Sequence, residues 1–160
     1  DTLGIDDTLW VISNCIGGKR TKKRHMVADI AERVLSIWED WAKDHAPDHL
    51  DAPRKAVDAV RNGKVNDKIL KAAEYAWDAG ALATRALAAD ALAADVDCAY
   101  AADSACAAAY AASYAAACAY AGALAAGALA ARAATDAAGD AGYDNELEEQ
   151  EKIILTYFGE

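Results

Sequence analysis

From position 26 onward the apolar residues recur three and four apart. Met26, Ile30, Val34, Ile37, Trp38 and Trp41 fall on one stripe of a helix, with Asp29, Glu32, Arg33, Glu39, Asp40 and Lys43 on the face opposite. This pattern predicts one amphipathic helix that starts in the basic run Lys19–His25 and stops near Ala46, because Pro47 disfavours the helical region for its predecessor. Before it, Leu9, Trp10, Ile12, Cys15 and Ile16 predict a short helix capped by Asp6 or Asp7 and ended at Gly17-Gly18. After it, Ala56, Val57 and Val60 predict a third helix, with Asp51 as N-cap, Pro53 in the first turn and an end at Asn62-Gly63. Asn66 can cap a fourth, carrying Ile69, Leu70, Ala73, Trp77 and Ala81.

Between Ala72 and Ala138 the periodic signal fades because alanine takes over. Alanine has the highest intrinsic helix propensity, so helix is expected throughout. A single rod would be about 100 Å long, so a compact fold needs breaks. Candidates are Asp90–Asp97, Gly122–Gly127 and the Gly, Asp and Asn cluster over Gly139–Asn145, after which Glu146–Phe158 reads as a last helix. Alanine at interfaces lets helix axes approach to about 8 Å, with Tyr100, Tyr110, Tyr114 and Tyr120 as the large residues that plug the gaps. The expected fold is all-α: a single-domain antiparallel helical bundle with closely packed alanine-rich helices. It comprises mixed amphipathic helices over 1–65, alanine-rich helices over 66–138 and a C-terminal helix over 146–158. The uncharged stretch Ala105–Ala131 holds only Leu124 and Leu129 as strong apolar residues and no flanking basic cluster, which speaks against a membrane span.

Charge narrows the partners. The 160 residues carry a formal net charge of −10, which disfavours polyanionic ligands such as DNA or RNA. Outside the run Lys19, Arg20, Lys22, Lys23 and Arg24 there are 11 Lys and Arg against 26 Asp and Glu, a net of −15. The run therefore reads as a solvated helix start, with an anion-binding role as the alternative. Cys15, Cys98, Cys106 and Cys118 lack the spacing of a zinc or redox motif and read as small buried thiols of a reducing cytoplasm. Asp1–Trp10 shows no basic stretch of the kind that opens a secretory signal.

Candidate chemistry is sparse. Asp44-His45-Ala46-Pro47-Asp48-His49 sets two histidines four apart beside carboxylates. A metalloprotease helix would need glutamate where Ala46 stands, and Pro47 disturbs the helix that would align the rings. A polar interhelix loop is the reading taken. Ser36, Ser104 and Ser113 lack a nucleophile-elbow context, and Asp90, Asp95, Asp97 and Asp103 read as solubilising charges. Neither an enzymatic activity, nor a metal, nor a cofactor is expected.

Ile30-Ala31-Glu32-Arg33-Val34-Leu35, then Pro47-Asp48, Asp51, Pro53-Arg54-Lys55-Ala56-Val57, Ala59-Val60-Arg61 and Gly63-Lys64, resemble a family of immunity proteins of bacterial polymorphic toxin systems. Those also continue into a long alanine-rich helical region. The chain is similar, too, to alanine- and tyrosine-rich bacteriophage proteins. The first resemblance implies a protein-binding inhibitor that occludes a toxin, and Glu39, Asp40, Asp44, Asp48, Asp51 and Asp58 are the densest acidic neighbourhood that could meet a basic partner. The second implies a counter-defence protein that captures a signalling nucleotide or a host defence complex, which would employ Lys19–Arg24. A structural protein that forms homo-oligomers is a third expectation.

Overall fold

Alanine builds the centre of the molecule. The computed structural model describes residues 20–89, 96–121 and 125–158, and the helix expected over 6–16 lies outside them. The elements are α1 (Arg20–Glu32), α2 (Leu35–His45), a 3-10 turn (Pro47–His49), α3 (Ala52–Asn62), α4 (Asp67–Ala89), α5 (Val96–Ala121) and α6 (Ala125–Phe158). There is no strand among the described residues. Helix α5 is mostly alanine with Asp97 and Asp103 as its charged residues, and a helix so largely apolar belongs mainly in the interior. Its Ala102, Ala105, Ala108, Ala109, Ala111, Ala112, Ala115 and Ala116 are fully buried, and it packs against α1, α2, α3, α4 and α6. The expected all-α bundle with alanine-packed helices is what the chain forms.

Glycine permits the closest approach. A Cβ placed on Gly80 of α4 would lie 3.0 Å from the Cα of Cys106 on α5, so the two backbones touch there. Three residues away the rings of Trp77 and Tyr110 meet at 4.7 Å, which makes α4 and α5 antiparallel.

Helix α6 doubles back on itself. Gln150 donates to the carbonyl of Ala131 at 3.1 Å, although 19 residues of straight helix would separate them by about 28 Å. The reversal is made at Gly139, whose φ of 67° and ψ of 176° lie in a region essentially restricted to glycine. The turn expected over Gly139–Asn145 thus contracts to one residue, and helix resumes well before Glu146. Gln150 is fully buried. Its amide hydrogens are used on Ala131 and on Glu146 Oε1 at 3.1 Å, while the Thr135 hydroxyl donates to the same Ala131 carbonyl. Glu146 in turn accepts at 3.1 Å from Arg33, in the bend between α1 and α2, so the second limb of α6 is tied to that bend.

The N-terminal helices carry the large side chains. Ile30, Trp38, Val57 and Val60 are fully buried, as the spacing predicts; Leu35, off the expected stripe, is fully buried too, while Ile37, on it, is half-buried. The single helix expected from the basic run to Ala46 is two, because Val34 takes φ −103° and ψ 0° and accepts a tight turn bond from Ile37. The hydrophobic phase runs unbroken across the bend, which is why the pattern could not reveal it. Helix α3 closes as expected: Gly63 (φ 65°) donates to Val60 and Lys64 to Ala59, the paired bonds that satisfy the last carbonyls. Asn66 Oδ1 accepts from the Ile69 amide at 3.1 Å and caps α4. Asp51, by contrast, makes no side-chain cap and reaches Lys55 instead.

Two further expectations are corrected. Tyr110 and Tyr114 are half-buried and pack edge to face, but Tyr100 and Tyr120 are 67% and 49% exposed and plug nothing. Ten residues are not a whole number of turns, so the same spacing that buries Tyr110 turns the other two outward. Cys106, the one cysteine whose side chain is described, is half-buried, with its thiol 3.9 Å from the Trp77 carbonyl. Among the described residues no helix is long and apolar enough to cross a membrane.

Candidate functional site

The acidic neighbourhood spans α2, the 3-10 turn and α3, and its rigidity starts at Trp38. That ring is fully buried and its indole N–H donates to the Leu50 carbonyl at 3.0 Å, which pins the turn to α2. Trp41 stacks on His45 with centroids 4.9 Å apart, and the His45 Nδ1 lies 2.9 Å from the Trp41 carbonyl. Helix α2 stops at Ala46 (φ −144°, ψ 54°), and His49 falls in the 3-10 turn beyond it, so the two imidazoles do not share a helix face. Among the described residues no group of three or more His, Cys, Asp or Glu is placed to hold a metal ion.

An alternating file of charges locks these helices together. Arg54 of α3 binds both oxygens of Glu39 on α2 and reaches Glu32 of α1 at 3.5 Å. Arg61 of α3 binds Glu32 again, and Asp29 at 2.6 Å. Asp29 also accepts from the Tyr157 hydroxyl at 2.6 Å, which brings in α6. The hydrogen bond from Arg61, helped by its charge and that of Arg54, lowers the Glu32 pKa against partial burial. Arg54 and Arg61 are raised, chiefly by their hydrogen bonds to Glu39 and Glu32 respectively. Burial, and then the bond to Asp29, pushes Tyr157 up to about 12. Asp29, Glu32 and Glu39 were expected on the outer face; they turn instead toward α3. The sequence reading missed Arg54, Arg61 and Tyr157 as their partners, because nothing in local spacing links residues 15 to 128 positions apart.

Of the six acidic candidates, Glu39 is therefore taken into the scaffold. The other five stand in solvent. Asp40 pairs with Lys43 at 3.2 Å and Asp51 with Lys55 at 3.1 Å, both highly exposed pairs of the kind that contributes little and exchanges readily. Asp44, Asp48 and Asp58 are exposed and have no Lys or Arg within ion-pair distance among the described residues. Asp48 and Asp51 come together on the wall of a groove of about 640 Å³ that also takes in Lys55, Lys68, Asn66 and Ile69; Asp40, Asp44 and Asp58 lie outside it. No family model, curated protein or solved structure matches this chain.

The basic run is dispersed. Lys19 and the Arg20 side chain lie outside the described residues. Lys22 donates to the Tyr157 carbonyl at 3.3 Å, at the C-terminal end of α6. The His25 Nε2 lies 3.1 Å from the Arg61 carbonyl at the end of α3, and the Arg24 guanidinium lies over Gly63, where a Cβ would meet Nη1 at 2.9 Å. Lys22, Arg24 and His25 thus stand where the carbonyl ends of two helices carry partial negative charge. Lys23 is half-buried and also engaged.

Proposed function

We propose that this protein works by binding and not by catalysis, as an inhibitor that occludes a basic partner protein with the acidic surface of α2, the 3-10 turn and α3. The observation that carries the reading is the combination found there. Five aspartates stand in solvent on helices fixed by the Trp38 anchor and by the Glu39–Arg54–Glu32–Arg61–Asp29 file. A surface already held in place loses little entropy on binding, and its negative field speeds encounter with a positive partner while repelling acidic ones. The net charge of −10 extends that field beyond the patch. The resemblance of Ile30–Gly63 to immunity proteins makes a bacterial toxin the natural partner, met in the cytoplasm.

Affinity capture of the tagged chain from bacterial lysates, with mass spectrometry of retained proteins and released small molecules, tests this. One basic protein, retained stoichiometrically and released by salt, is the expected result. A phosphate-containing small molecule in its place would overturn the inhibitor reading for the nucleotide-capturing one, and self-association alone would overturn it for a structural role.

A further inference from the structure

A second concavity lies away from the acidic surface, between α4, α5 and the two limbs of α6. It encloses about 440 Å³, within the range of small-ligand sites. Trp77, Tyr110 and Tyr143 supply aromatic walls, and Asp103 and Asp136 supply carboxylates from α5 and the first limb of α6. No basic residue is among those that line it.

We infer that this cleft binds an organic cation, an alkylammonium or guanidinium group. The faces of Trp and Tyr rings attract a cation within about 6 Å of the ring centroid, and more strongly where water is displaced. Here the Trp77 and Tyr110 rings form one wall, 4.7 Å apart and inclined at 32°. Tyr110 is held by its edge-to-face contact with Tyr114 and by a hydrogen bond between the two hydroxyls, so the wall is fixed before any ligand arrives. Burial and the bond to Tyr114 push the Tyr110 phenol up to about 12, so it stays neutral at physiological pH. Tyr143 is 47% exposed, so its ring is open to a ligand entering the cleft. The two carboxylates choose among ligands: an anion is repelled, and an uncharged apolar ligand would strip water from them without compensation. Gly139 sets the geometry, since its left-handed turn brings Tyr143 from the second limb into the cleft that Asp136 lines from the first.

The same chemistry fits a free small amine or a lysine side chain of a bound protein. It does not depend on the inhibitor reading, since none of the residues of the acidic surface lines the cleft. The test follows the Trp77 indole and Gly139 amide signals by NMR in the full chain. Choline, agmatine and a tripeptide with blocked termini and a free lysine amine are titrated against sodium chloride of equal ionic strength and against 3,3-dimethylbutan-1-ol, the uncharged isostere of choline. Saturable shifts are expected with the cations and not with the isostere or salt. They should weaken about tenfold in Asp103→Asn/Asp136→Asn and in Tyr143→Ala. Both variants alter exposed side chains, and circular dichroism checks their fold. Saturation by choline or agmatine assigns the site to free amines, and saturation by the peptide alone assigns it to a protein's lysine. Equal response to the isostere, an undiminished response in both folded variants, or no saturation by any of the three cations overturns the proposal.

Discussion

The two halves of this bundle solve the packing problem in opposite ways. In α1, α2 and α3 the helices are spaced by large side chains and cross-linked by ion pairs, with Trp38 at the centre and Arg54 and Arg61 bridging carboxylates on neighbouring helices. In α4, α5 and α6 they are brought together by the near absence of side chains, so that at Gly80 one backbone rests on another. The first strategy fixes rotation and register through specific partners and leaves polar groups at the surface to be used. The second fixes distance and leaves the rotation of each helix to a few aromatics.

The comparison breaks most severely at Trp38. Its replacement by alanine removes the largest buried side chain of the first half and the bond to Leu50, and should cost roughly 3–5 kcal/mol in denaturant unfolding, or abolish folding. Gly80→Ala tests the second half. In an open helix this exchange gains up to about 1 kcal/mol, but here the new methyl meets the Cys106 backbone, so a net loss of about 1–3 kcal/mol is expected. A gain would show that the helices do not meet so closely.

Tyr157→Phe, which cuts the bond to Asp29, should cost about 1 kcal/mol at neutral pH. It should also flatten part of the alkaline limb. The Tyr157 phenol titrates near 12 when folded and near about 10 when unfolded. A raised pKa of this kind contributes stability fully below pH 10 and loses it as pH rises toward 12. Tyr110, also raised to about 12, keeps a similar dependence in the variant. Stability curves with the same alkaline slope in both proteins would contradict the assignment.

Legibility in the sequence follows the same division. Helix α3 could be read almost to the residue, because Pro53 fits a first turn, Ala56, Val57 and Val60 mark a buried face, and Gly63 alone takes the left-handed cap without strain. The alanine helices could be foreseen as helices but not oriented, since a residue that is small on every face carries no phase; hence Tyr100 and Tyr120 were placed inside when they face out. The acidic surface was legible as composition only. That Glu39 belongs to the scaffold while Asp40, one residue on, belongs to the surface depends on Arg54, whose approach from α3 is a tertiary event. The cleft around Trp77 left no local trace, since its walls come from three helices.

The central claim is that the five exposed aspartates carry binding while Glu39 carries the fold. Its most direct measurement is the affinity of the captured partner for the wild type and for a variant with Asp40, Asp44, Asp48, Asp51 and Asp58 all changed to Asn, at two salt concentrations. The account predicts an unaltered melting transition, binding weaker by about tenfold or more at low salt, and a shallower dependence on salt. A folded variant that binds as tightly as the wild type, with the same salt dependence, would contradict it.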